Sequence, residues 1–199
     1  MKPFAFLLAV LLMLALPLTA GAVVEPKSGT EYPDAVMLKD GADMADLEVT
    51  GVGLREKTML KVDVYTICSW VRVGVDLGDD PGKALRTIDA PKRIQMDLRR
   101  SFSRQKLIDS FQKVIEKNYD DTSAFAADME TFFGYFQRDA QEKDQIIFEY
   151  VPSGGLSTIL NGKRQGTIEN PAFVEALWTV WFGDKPADGN LKKALMSKI

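Results

Sequence analysis

Residues 144–183 leave this chain few folds to choose from. Asp144–Val151 reads as a strand, Pro152-Ser-Gly-Gly155 as a turn, and Leu156–Leu160 and Lys163–Ile168 as two short strands joined by Asn161-Gly162. Asn-Gly between two such runs is the strongest short hairpin signal, because both residues tolerate the positive φ of a type I′ turn. Asn170-Pro171 then supplies a cap and a first-turn proline for a helix carrying Phe173, Ala176, Leu177, Val180 and Trp181, and Gly183 ends it. Asp188 caps a last short helix with Leu191 and Leu195.

The middle of the chain reads in the same way. Leu47–Arg55 is a strand whose glycines, Gly51 and Gly53, let another element approach the backbone closely. Thr58–Val73 is rich in β-branched and aromatic residues, with Lys61 and Asp63 alternating with Val62 and Val64. Asp80-Pro81-Gly82 turns into a short helix to Ile88, and Arg93–Leu98 is a strand. Ser103 caps a helix running to about Tyr119, and a second helix covers Ser123–Phe136. Strands come in neighbouring runs and helices in blocks, without βαβ alternation. The expected class is α+β, a mostly antiparallel sheet with helices packed on one face. One domain is expected over residues 46–199, preceded by an irregular lead-in over 23–45 containing Pro26, Pro33 and several glycines.

The first 22 residues read as a secretory signal. Lys2 gives a positive start, Phe4–Leu16 is almost purely apolar, Pro17 breaks it, and Ala20-Gly21-Ala22 offers a cleavage site. A retained anchor is the other reading, since the apolar run approaches spanning length. The expected location is therefore the periplasm or outside, after cleavage near Ala22. Loss of Lys2 takes the net charge from −3 to −4. Such a domain has little general attraction for nucleic acid, or for anionic membranes unless a local patch provides it.

The chain contains no histidine and one cysteine, Cys68. Ser-His-Asp and Cys-His catalysis are excluded, as are histidine and thiolate zinc sites. Asp79-Asp80 and Asp120-Asp121 lack the alternation of a calcium loop. No metal and no cofactor are expected. Cys68 lies in an apolar run and reads as a buried structural thiol.

The order of motifs resembles the chalcone isomerase-like family. Gly51-Val-Gly-Leu-Arg-Glu-Lys57 followed by Lys61-Val-Asp-Val-Tyr65 looks like that family's first two strands. Tyr150–Thr158, Asn161-Gly-Lys163, Gly166-Thr-Ile168, Phe173–Trp181, Phe182–Pro186 and Leu191-Lys-Lys193 look like its C-terminal half, so the likeness spans roughly 45–198. It is nearer to exported bacterial members than to the plant enzymes. The resemblance implies a large antiparallel sheet, helices on one side and a cleft between the layers. It implies two activities: closing a chalcone to a flavanone, or binding a fatty acid without catalysis.

By position Arg55 matches the family's cleft arginine, and a guanidinium suits bidentate pairing with a carboxylate. The bland alternative is a solvated strand arginine. The plant enzymes' tyrosine and asparagine, seven residues apart on the helix after the third strand, are matched in spacing by Gln105 and Gln112. Asp63 stands where the family has a threonine, and an aspartate would repel a phenolate. Tyr65 or Thr66 faces the cleft, depending on register, and Thr167 matches a polar family position loosely. Arg99, Arg100 and Arg104 form either an anion patch or a solvated strand end, and the phenylalanines of 125–136 either core or cavity lining.

The leading expectation is non-catalytic binding of a small apolar acid such as a fatty acid by Arg55, Tyr65, Thr66, Gln105, Gln112 and Thr167. The first alternative is an isomerase of the chalcone isomerase type, closing a ring intramolecularly. The second is an envelope interaction module presenting Trp70, Trp178 or Trp181 in an exposed patch.

Overall fold

A computed structural model describes residues 21–57 and 62–199, so the signal reading of residues 1–22 falls almost wholly outside the described residues. A short ribbon, β1 (Ala22–Val24) and β2 (Glu31–Pro33), precedes β3 (Ala35–Asp40), β4 (Asp43–Lys57) and β5 (Val62–Arg72). After α1 (Pro81–Thr87) and β6 (Lys92–Leu98) come α2 (Arg104–Asn118) and α3 (Ala126–Gly134). The chain ends with β7 (Gln145–Val151), β8 (Gly155–Leu160), β9 (Lys163–Ile168), α4 (Pro171–Phe182) and α5 (Gly189–Leu195).

Strands β3 to β9 form one seven-stranded sheet in sequential order, antiparallel at every step. The helices interrupt this meander without reordering it, giving the α+β architecture expected from runs of like elements. The β8–β9 turn has φ of 50° at Asn161 and 78° at Gly162, the pair of positive values that Asn-Gly allows.

Strand periodicity separates two cores. In β5, Tyr65, Ile67 and Val71 point to the helices, while Cys68 and Trp70 point to the other face. The helix-side core is the larger. Its centre is α4, in which nine residues from Phe173 to Phe182 are buried because α1 and α2 pack beside it. Phe125, Phe132 and Phe136 join Phe111, Phe148 and Phe173 in this core, so the aromatic stripe is mainly packing, with Phe136 also bordering a cavity beside β7 and β8.

The second core lies under the β1–β2 ribbon and corrects the expected lead-in. Residues 23–45 are largely strand, because Val23 and Tyr32 bury against Leu47, Val49 and Trp70 on the face the helices leave open. Tyr32 donates to Thr66 Oγ1 at 2.8 Å and Trp70 Nε1 donates to the Pro33 carbonyl at 2.9 Å. These bonds hold a ribbon too short to persist alone. The Cys68 thiol is fully buried here, and burial pushes its pKa up.

The glycines of β4 have a specific use. A Cβ on Gly51 would collide with the Ala194 carbonyl, and one on Gly53 would lie 2.6 Å from the Leu191 side chain. Helix α5 therefore rests directly on the β4 backbone. Thr50 Oγ1 ties it there by donating to the Leu195 carbonyl at 2.8 Å.

Candidate functional site

The helix side of β4 and β5 opens into a cleft at the end away from the α5 contact. A register shift between Val49 and Gly51 sets the phase of β4. Beyond it, alternation carries Gly51, Gly53 and then Arg55 to the helix face. Arg55 pairs with Tyr65 across the ladder, and a second shift falls between Arg55 and Glu56. Both residues line a cavity of about 330 Å³ closed on the sheet side by Met96 and Leu98 and on the helix side by Leu107, Phe111, Val180 and Trp181. That volume is near the lower end for small-molecule sites, and the mix of an apolar wall with few polar groups is typical of them.

The Arg55 guanidinium carbon lies 5.9 Å from the Tyr65 ring centroid, so the cation is held against an aromatic edge of the cleft. Among the described residues no carboxylate pairs with Arg55. The Tyr65 hydroxyl accepts from Trp181 Nε1 at 3.3 Å, which leaves its own proton free to donate. A carboxylate entering the cleft would meet a fixed cation and a hydroxyl donor at one end and hydrocarbon at the other. The arrangement can hold an anionic head group with an apolar tail.

The other candidates separate from this pair. Thr66 is fully buried on the opposite face of the sheet, bonded to Tyr32, so register gives the cleft to Tyr65. Thr167 is exposed on β9, 3.2 Å from Ser157 Oγ, and does not line the cleft. Gln105 and Gln112 do not line it either; they bond along the helix surface to Asp109 at 2.7 Å and Glu116 at 2.6 Å. The reason is helical phase. The cleft takes Lys106, Leu107, Ser110 and Phe111 from α2, and positions 105 and 112 lie about 180° away on a helix of 3.6 residues per turn.

The arginine group of 99–104 divides. Arg104 turns inward to the Phe133 and Phe136 carbonyls at the end of α3. Arg100 stays at the mouth of the cleft, 5.6 Å over the Phe102 ring. Lys57 and Lys106 complete the mouth; sequence reading did not single them out, and the spacing of Lys106 from Phe111 was the signal available. Trp70, Trp178 and Trp181 are each 1 % exposed, which removes the exposed tryptophan patch.

A second cavity, about 520 Å³, lies between the end of α1, the 152–155 turn and the start of α4. Lys92 borders it and is almost fully buried. Its ammonium donates to the carbonyls of Leu85, Arg86 and Ile88 at 3.1, 3.0 and 3.1 Å. Burial lowers its pKa to about 7. The nearby Tyr150 hydroxyl is given to Asp89; burial first, and then this carboxylate, push its pKa up. Lys92 and Tyr150 are thus committed to protein partners, whereas the buried Nε of Arg86, on the same lining, has none among the described residues.

The family model described as chalcone isomerase-like matches residues 25–197. A search of curated proteins gave no match. Among solved structures, the crystal structure of an Arabidopsis thaliana fatty-acid binding protein superposes with a TM-score of 0.69 at 18% identity, covering 88% of this chain and 96% of that one. The match begins at residue 25 and so takes in β2, β3 and the start of β4, most of the stretch that the sequence had set apart, but not β1.

Proposed function

The chain belongs to the chalcone isomerase-like family, and from that premise we propose that it binds, without transforming, a small apolar acid of the fatty-acid class. The observation that carries the reading is a guanidinium with no carboxylate partner among the described residues, at the polar end of an apolar cleft. Arg55 takes the carboxylate, Tyr65 donates a second hydrogen bond, and the tail lies against Leu98, Phe111, Val180 and Trp181. The structural neighbour from Arabidopsis thaliana, a fatty-acid binding protein of the same fold, supports this choice of ligand class.

No observation favours the isomerase. The glutamines spaced like the plant enzymes' pair lie on the far flank of α2, and the polar residues that this helix does turn to the cleft are Lys106 and Ser110. The proposal also includes export. The charged start, the apolar run and Ala20-Gly21-Ala22 support a periplasmic or secreted protein, and the mass of the protein recovered from its host's envelope tests it.

The binding test is calorimetric titration of delipidated protein with dodecanoate, repeated with methyl dodecanoate and with Arg55→Ala. Wild type binds the acid and discriminates against the ester. Arg55→Ala lowers affinity for the acid by about tenfold to a hundredfold, the worth of a charge-assisted hydrogen bond. Equal binding of acid and ester, or an unaffected Arg55→Ala protein, removes the reading.

A further inference from the structure

The cleft's mouth gathers several basic side chains around one opening. Four cations line the cleft, Arg55, Lys57, Arg100 and Lys106, against two carboxylates, Glu56 and Asp188. Of the two, only Glu56 is matched by a cation of its own outside the cleft lining, while Asp188 keeps its charge as a helix cap, which leaves four cations against one carboxylate. Glu56 is ion-paired with Lys27, and Asp188 accepts from Asn190 and Leu191 at 2.8 and 3.1 Å as the cap of α5. Elsewhere Arg93, Arg138 and Arg164 pair with Glu149 or Asp144, but Lys39, Lys113 and Lys163 have no ion-pair partner among the described residues, so what sets the mouth apart is that four basic side chains line one opening. Among the described residues, none of the four cleft cations has such a partner. Arg99, exposed, adds a further charge beside Arg100, and Val62, opposite Lys57 in the ladder, is a partly exposed apolar side chain at the same rim. All this sits on a chain whose net charge is −3.

An acidic protein repels an anionic membrane on average, so a cluster of uncompensated cations around one opening orients it. We infer that the mouth of the cleft docks on the surface of an anionic phospholipid bilayer, so that the apolar ligand passes between membrane and cleft without crossing bulk water. The complementarity is electrostatic and superficial. No helix among the described residues is long and apolar enough to cross a membrane. Each basic side chain near such a surface contributes about fivefold in affinity, and the attraction fades beyond a Debye length. The purpose of the docking rests on the fatty-acid reading; the docking itself does not, because it is measured on empty protein.

The test uses delipidated full-length mature protein and sedimenting vesicles, either phosphatidylglycerol with phosphatidylcholine in equal parts or phosphatidylcholine alone. Wild type is expected to sediment with the anionic vesicles at low salt, to stay in solution with the neutral ones, and to be released by about 0.5 M NaCl. Arg100→Glu with Lys106→Glu weakens anionic-vesicle binding at least about thirtyfold. The same charge change made by Lys39→Glu with Lys163→Glu, on the exposed edge strands β3 and β9, leaves most of it intact. Absence of wild-type binding, equal binding to neutral vesicles, or equal loss in the two double variants overturns the inference. The wild-type salt series decides the matter even if a charge-reversed protein folds poorly. Failure of dodecanoate to bind in vesicle-free solution overturns the fatty-acid reading alone.

Discussion

Arg55 and Lys92 are both basic side chains beside a tyrosine at the wall of a cavity, and they differ in what their donors do. The Lys92 ammonium has three protons and three backbone carbonyls within 3.1 Å. It closes off the C-terminal end of α1, where helix carbonyls have no partners of their own. It also lies 5.0 Å from the Trp178 ring and 5.3 Å from that of Tyr150. Arg55 has five donors and, among the described residues, no ion-pair partner, with the Tyr65 ring beside it. The larger of the two cavities is the one beside Lys92. Size alone therefore does not choose between them, and what favours the Arg55 cleft as the proposed site is that the donors of its cation are unspent while those of Lys92 are not.

The comparison breaks first at Lys92. Lys92→Met keeps the packing volume and strands three carbonyls, so it is expected to cost about 2–3 kcal/mol in urea unfolding. Arg55→Ala, at a side chain partly solvated and without an ion-pair partner among the described residues, is expected to cost no more than about 0.5 kcal/mol. If the two costs were equal, the distinction between a structural and a functional cation would fall. The sign with pH sharpens it. Burial lowers the folded pKa of Lys92 to about 7 from 10.5, so between these values the unfolded chain holds more protons. Stability is expected to rise from pH 7 to pH 9 by this route, and Lys92→Met should lose that rise.

Tyr65 is the next, smaller test. Tyr65→Phe retains the ring beside Arg55 and removes the hydroxyl that would meet a carboxylate. Dodecanoate affinity is expected to fall about threefold to tenfold, less than for Arg55→Ala. Trp181 Nε1 loses its acceptor, so the unfolding midpoint is measured alongside. A loss in affinity larger than that of Arg55→Ala would make the hydroxyl, not the guanidinium, the anchor.

Much of the frame was legible because its signals are local. Asn161-Gly162, Asn170-Pro171 and Ser103 each act through their own φ, cap or ring. The glycines of β4 announced a close approach, which α5 makes. What sequence missed depends on distant partners. The 23–45 stretch looked irregular because its strands are short and their apolar residues, Val23 and Tyr32, bury only against Trp70 and its neighbours. Tyr65 could not be told from Thr66 because adjacent residues of a strand differ only in face, and two shifts in the β4–β5 ladder decide the phase. In Lys92, nothing local distinguishes a buried lysine from an exposed one at the start of a strand.

The glutamines of α2 give the smallest expected effect and the strictest check on the rule about spent donors. Their seven-residue spacing suggested a shared face, and they do share one. That face is defined by Asp109 and Glu116, one turn further along, and each glutamine amide donates to its acid. The residues that turn toward the cleft, Lys106, Leu107, Ser110 and Phe111, occupy the other side of the same helix. Gln105→Ala with Gln112→Ala removes two solvent-side i, i+4 bonds worth a few tenths of a kcal/mol each. Dodecanoate affinity should be unchanged within twofold, and stability within about 0.5 kcal/mol. A larger loss of affinity would mean that α2 rotates when ligand enters. The unpaired state of Arg55 would then be only half of the binding site, with the glutamines supplying the rest.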